Sequence, residues 1–179
     1  NVPADYGRGV WEALWNEAKK HSACAYGTET MHVLRAEKGF IIVGQETDGT
    51  VTIDDVGLTW AIGKSKKDFV GKRSLSRPDM VRPGRRQLVG LLTADPGIVL
   101  EEGAQVVGME RAPAGTPALG HVTSAYHSAA LKRGIALALV ADGRKRMGER
   151  LYVPMPAGDI AVEVVSPVFL VAKGERLDG

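Results

Sequence analysis

An α+β fold, helical in its first half and built of antiparallel strands in its second, is predicted by three observations. Val10, Trp11, Leu14, Trp15 and Ala18 recur at helical spacing. After Arg86 the chain breaks into short apolar or alternating runs separated by Gly, Pro and Asp, the pattern of an antiparallel β barrel or sandwich. Between the two lies Ser76 to Arg86, which carries Pro78, Pro83 and Gly84 and reads as a linker. The predicted domains are therefore residues 1–86 and 87–179.

Taken in order, the apolar stripe from Tyr6 to about Lys20 opposes Arg8, Glu12, Asn16, Glu17 and Lys19, so an amphipathic helix is expected. Its tryptophans read as core packing. Lys19, Lys20 and His21 complement the negative end of the helix dipole. A second helix starts at Thr28 and stops at Gly39. Phe40 to Val43 reads as a short buried strand and Asp48-Gly49 as a turn. Asp54 and Asp55 read as caps of a further short helix, because neighbouring side chains diverge and no His stands nearby to complete a metal or acid-base group. Strands are expected over Gln87–Thr93, Gln105–Gly108, Leu119–Ser124, Ile135–Val140, Arg150–Val153, Ile160–Val165 and Val168–Ala172. A single helical turn is expected over Ser128–Arg133. Tyr126 and His127, near Lys132 but without an Asp or second His, read as a surface loop.

Composition narrows the function. With 179 residues, 44% hydrophobic and 25% charged, the chain can bury an ordinary core. No apolar run approaches the roughly 18 residues of a membrane helix, and the start NVPADYGRG lacks the features of a signal peptide. The lone Cys24 excludes an intrachain disulfide and fits a reducing, cytoplasmic setting. A net charge of +2 argues against a dedicated nucleic-acid binder. The charge is uneven, however. Lys64 to Arg86 holds nine basic and two acidic residues, a local +7, so the remainder carries −5. Such a run is a solvated linker face, or else it attracts a polyanionic ligand tail or an acidic partner. It is not a phosphate loop, since Lys66 and Arg73 occupy positions that require Gly and Ser or Thr.

The ligand candidates lie between Thr28 and Leu75. Arg35 projects from an apolar stretch, Gln45 and Glu46 follow Gly44 at the end of an apolar run, and Trp60 sits among small residues. One guanidinium, polar ends and a flat aromatic suit a planar, anionic heterocycle better than a metal or a peptide. On residue type alone, Arg35 reads equally as a surface ion pair and Trp60 as a core aromatic.

These segments carry a resemblance. GTETMHVLRAEKG, FIIVGQETDG, DDVGLTWAIGK, DFVGKRSL, RQLVGLLTADPG and GHVTSAYHSAALKRGIALALV are similar, in order and spacing, to the C-terminal half of the glycine-cleavage T-protein family. That family has LRLEAG, LYGH(D/E), GL(S/T)W, F(I/V)G, RVGL and G.VTSG..SP.L...IA. MHVLRAEKG, VGQETDGTVT and DFVGKRSL most resemble the α subunits of heterotetrameric sarcosine oxidases, whose C-terminal portion is a T-protein-like module. The resemblance implies the later part of a folate-binding domain followed by a C-terminal antiparallel β barrel. It implies tetrahydrofolate contact by Arg35, the Arg of LRLEAG, and a folate wall at Trp60, the aromatic of GL(S/T)W. Val43 and Gln45 stand where the family has the Tyr and His of LYGH, which leaves Gln45 as the third candidate. Arg35 and Trp60 are expected to share one concave wall. The family's catalytic Asp and pterin-binding acid are expected before Asn1, so no catalytic residue is expected in this chain. The parent reaction implied is oxidation of sarcosine with formation of hydrogen peroxide, glycine and 5,10-methylenetetrahydrofolate. Its FAD, FMN and NAD would lie outside this chain, and its other subunits would be partners. A dimethylglycine-oxidising enzyme, a T-protein aminomethyltransferase and a non-catalytic docking module are the alternatives.

Overall fold

The alternation in the second half becomes six strands: β1 (Arg86–Thr93), β2 (Gln105–Val106), β3 (Gly120–Ser128), β4 (Arg133–Ala141), β5 (Arg150–Val153) and β6 (Ile160–Val165). They form one antiparallel sheet in the order β2-β3-β4-β1-β6-β5 in the computed structural model, which describes residues 1–170. The outer strands meet where Val107 N donates to Tyr152 O at 2.8 Å and Tyr152 N to Val107 O at 3.0 Å, so the sheet curls into a barrel. The period of 2 assigns the side chains to two faces. Val89, Leu91, Val122, Ala138, Val140 and Val164 fill the interior. Leu88, Ile135, Leu137 and Leu139 point outward and are covered by Ala36 and Val56.

Two strands have the bounds expected for them, Arg150–Val153 and Ile160–Val165. β3 runs four residues past its expected end at Ser124, which puts Tyr126 and His127 on a strand and not in a surface loop. The reason is a bulge between Val122 and Ser124. The extra residue breaks the alternation in the sequence and resets the side chains. His121, Ser124 and Tyr126 thereby pair with Leu139, Leu137 and Ile135, three successive positions on one face. Ser128 to Arg133 makes a hairpin turn in place of a helical one, with Lys132 at φ 54°. Val168 to Leu170 is not a strand, and the end of that expected strand, through Ala172, lies outside the described residues.

The chain divides into two units, the first Asn1–Met31 and the second from His32 onward. In the first, α1 (Gly7–Ala18) is flanked by 3-10 turns at Ala4–Tyr6 and Lys19–His21. No residue of α1 is buried, which corrects the expected core packing of its tryptophans. Periodicity defines a face, whereas burial needs a second layer. Trp11 and Trp15 instead stack on each other, with ring centroids 6.1 Å apart.

In the second unit, α2 (Thr28–Glu37), which begins in the first, ends before Gly39. Gly39 has φ +68°, and a Cβ there would lie 2.6 Å from Pro167 O, so both backbone and space demand glycine. Phe40 to Val43 is not a buried strand: Phe40 is 62% and Val43 87% exposed. Its backbone is spent on local turns, with Phe40 N donating to Arg35 O and Gly44 N to Thr47 O. Asp54 and Asp55 cap no helix either, since the 3-10 helix that follows, Thr59–Ala61, has Leu58 at its N-cap. Thr52 and Asp55 cap each other reciprocally around a turn, and Asp55 also takes Arg85. The expected linker contains a short helix, α3 (Pro78–Val81). Among the described residues no helix is long and apolar enough to cross a membrane.

Candidate functional site

Arg35 sits in the last turn of α2 with its side chain only 10% exposed. A guanidinium carries five N–H donors and no acceptor, so burying it requires a matching set of oxygens. Nη1 donates to Glu46 Oε2 at 2.9 Å and to Phe40 O at 3.2 Å. Nη2 donates to Gln45 Oε1 at 2.7 Å, Ser124 Oγ at 2.6 Å and Tyr126 Oη at 3.3 Å. Nε is buried and has no partner among the described residues. The guanidinium carbon stands 5.7 Å from the centre of the Tyr126 ring, and His32, one turn earlier on α2, lies parallel to that ring at 6.5 Å.

Glu46 is the anchor. Its carboxylate is fully buried and accepts Ile42 N at 2.7 Å, Thr123 Oγ1 at 3.0 Å and Ser124 Oγ at 2.5 Å besides Arg35. The bulge in β3 supplies this grip by presenting two consecutive hydroxyls to one carboxylate. Three segments thus meet: the end of α2, the turn after Gly44 and the middle of β3.

Arg35 and Gln45 are therefore brought together. Trp60 is placed differently, on the 3-10 turn Thr59–Ala61 and 77% exposed, so it is not a core aromatic. Among the described residues no hydrogen bond, ion pair or ring contact joins it to Arg35 or Gln45. Sequence reasoning missed Thr123, Ser124, Tyr126 and His32. The available signal was the run of hydroxyls in VTSAY, which is unusual inside a strand that packs on both faces. No group of three or more metal-ligating side chains occurs among the described residues.

The basic run resolves into two parts. Arg82 pairs with Asp79 at 2.9 Å, and Arg85 holds Asp55 and Asp79. Arg86 Nη1 lies 3.5 Å from His121 Nδ1, and the histidine is pushed below its ordinary value by burial and then by Arg86, against the pull of Asp48. In the cavity there, about 490 Å³, Arg82, Arg85 and Arg86 face Asp48, Asp55 and Asp79, so the formal charges cancel. Lys64, Lys66, Lys67, Arg73 and Arg77 are exposed and have no carboxylate within ion-pair distance among the described residues.

The comparisons agree with this architecture. The family profile described as the N-terminal domain of the T-protein matches residues 1–66, and that of the "Glycine cleavage T-protein C-terminal barrel domain" matches residues 86–170. The sarcosine oxidase subunit alpha of Corynebacterium sp. (strain U-96) is 48% identical over 99% of this chain, which spans 18% of that relative. The corresponding subunit of Rhizobium meliloti is 36% identical over 98% of the chain, again 18% of the relative. The aminomethyltransferase of Nitrosomonas europaea is 34% identical over 98% of the chain and 45% of its own length. The crystal structure of aminomethyltransferase T from Bartonella henselae superposes with a TM-score of 0.76 at 23% identity, covering 96% of this chain and 45% of that one, which shows the fold. The chain thus spans less than half the length of each of these relatives. A segment of the T-protein N-terminal domain followed by the T-protein C-terminal barrel, matched in succession by both profiles, makes this chain a member of the glycine-cleavage T-protein family.

Proposed function

We propose that this chain is the later part of a tetrahydrofolate-binding module, with residues 1–86 closing the folate domain and residues 87–179 forming the barrel. One observation carries the reading. In a family member, the Arg of the LRAEKG motif is nine-tenths buried on a fixed carboxylate and has Gln45 and Tyr126 at its outer edge. Burying a guanidinium so thoroughly is costly, and one N–H has no partner among the described residues. Arg35, Gln45 and Trp60 are the residues assigned to folate, Trp60 as an exposed flat surface for an apolar ring.

The parent is an enzyme of the sarcosine oxidase type. In it, oxidation of sarcosine, reduction of oxygen to hydrogen peroxide, and the FAD, FMN and NAD involved belong to regions outside this chain. Bound tetrahydrofolate supplies the amine that takes up the one-carbon unit, giving 5,10-methylenetetrahydrofolate and glycine. What this chain contributes is placement, which turns an encounter into a reaction within one complex. Titration of 5-formyltetrahydrofolate into the full-length parent tests the assignment. Arg35→Ala is expected to weaken binding at least about tenfold, because it removes the buried cation around which Gln45 and Tyr126 are arranged. An affinity within about twofold of wild type would end it.

A second reading concerns the exposed cations Lys64, Lys66, Lys67, Arg73 and Arg77, which have no carboxylate within ion-pair distance among the described residues. They suit an acidic face of another subunit of the parent complex. Reversing Lys64, Lys66 and Lys67 to Glu should weaken subunit assembly while sparing folate affinity, as read by sedimentation. Unchanged assembly would exclude the surface.

A further inference from the structure

The geometry points to Tyr126 as a further ligand-binding residue: Arg35 recognises its ligand through Tyr126 and Gln45, whose outward-facing donors it orients, and not by direct contact. This deepens the folate reading and rests on it.

The argument is one of hydrogen-bond polarity. Arg35 has only donors, so whatever faces it must present an acceptor. Nη1 is used by Glu46 and Phe40, and Nη2 by Gln45, Ser124 and Tyr126. The remaining N–H, on Nε, is buried. A ligand therefore cannot reach the guanidinium without displacing a partner.

The partners respond differently. Ser124 passes its own proton inward to Glu46 at 2.5 Å, which closes that branch. Gln45 turns Oε1 to Arg35, so its amide nitrogen points the other way, where the only described contact is Glu102 Oε2 at 3.5 Å. Tyr126 turns Oη to Arg35, so its phenolic proton must find an acceptor elsewhere. Among the described residues it has none. Both side chains are half-buried, so the two donors remain open to an incoming group. Their natural complement is a planar heterocycle that presents a carbonyl oxygen or ring nitrogen along its edge.

Glu46 and the β3 bulge fix this polarity. Because the bulge sets Ser124 and Tyr126 on the same face, one guanidinium can address both. Arg35 is thus a positioning residue, and Tyr126 with Gln45 makes the contact.

The test is calorimetric titration of 5-formyltetrahydrofolate into the full-length parent and two variants. Tyr126→Phe keeps the ring and leaves Arg35 its other acceptors, so folding is expected to be intact. Its affinity should fall about five- to tenfold, the loss of one hydrogen bond that leaves a ligand acceptor unpaired. Gln45→Glu keeps an oxygen on Arg35 but removes the outward N–H, and should weaken binding similarly. In an Arg35→Lys background, where a single ammonium cannot orient both groups, Tyr126→Phe should add less than it does alone. Tyr126→Phe or Gln45→Glu within twofold of wild type overturns the inference. Absence of binding by the wild-type parent fails the folate reading, and this assignment with it, and is distinguishable because it precedes any variant.

Discussion

Replacing Glu46 with alanine is expected to destabilise the second unit by about 3–5 kcal/mol, the cost of leaving one member of a buried ion pair without its partner. The carboxylate is fully buried and Arg35 only 10% exposed, so neither water nor salt can substitute for the lost charge. The loss extends beyond the pair, because Ile42 N, Thr123 Oγ1 and Ser124 Oγ would also lose their acceptor. Glu46→Gln keeps the shape but holds one acceptor oxygen in place of two. It should fall between wild type and Glu46→Ala in the urea midpoint. Equal midpoints for Glu46→Ala and wild type would show that Arg35 finds another acceptor, and that the cluster does not hold β3 to α2.

Asp55→Ala is expected to cost a similar amount, about 3–5 kcal/mol. Asp55 is 2% exposed and Arg85 11%, and the guanidinium grips the carboxylate through Nε and Nη2 while also bonding Thr50 O. This pair fastens the end of the basic segment to the turn at Thr52, and Leu88 N donating to Asp55 O extends the fastening to β1. A pH dependence follows. Burial alone would raise the Asp55 carboxyl, but hydrogen bonds from Arg85 and Thr52 overcome it and hold the group below its ordinary 3.8. A depressed carboxyl contributes stability that is fully present above the unfolded value and lost as pH falls through the lower folded value. The urea midpoints of wild type and Asp55→Ala should therefore differ most at pH values above the ordinary 3.8 and draw together as the pH falls below it. A gap that persists in acid would mean that packing, and not charge, accounts for the effect.

Much of this architecture was legible because the strands of the barrel announce themselves. Leu88 to Leu92 is an apolar run, Ile160 to Val165 alternates β-branched residues between Asp159 and Pro167, and the family motifs lie at helices, strands and turns that the structure contains. Other parts were hidden for identifiable reasons. The bulge at Thr123 interrupts a period of 2, so β3 read as ending where it only shifts. The stripe on α1 revealed which side is apolar but not whether anything covers it. Phe40 and Val43 are apolar and yet exposed, since the adjacent Gly39 and Gly44 take positive φ and turn the chain there. For the candidate site, Arg35, Gln45 and Glu46 stand within one motif-bearing stretch and could be singled out. Ser124 and Tyr126 lie 89 and 91 residues beyond Arg35, and nothing in a single sequence records that they meet it.

That same separation imposes an order of events. As the polypeptide leaves the ribosome, Arg35 and Glu46 can pair early across 11 residues, long before the hydroxyls that complete their shell have been synthesised. Until Ser124 and Tyr126 arrive, the guanidinium edge that orients them faces solvent. On the folate reading proposed above, ligand capture at this corner waits for β3, and affinity there would serve as an assay for correct assembly.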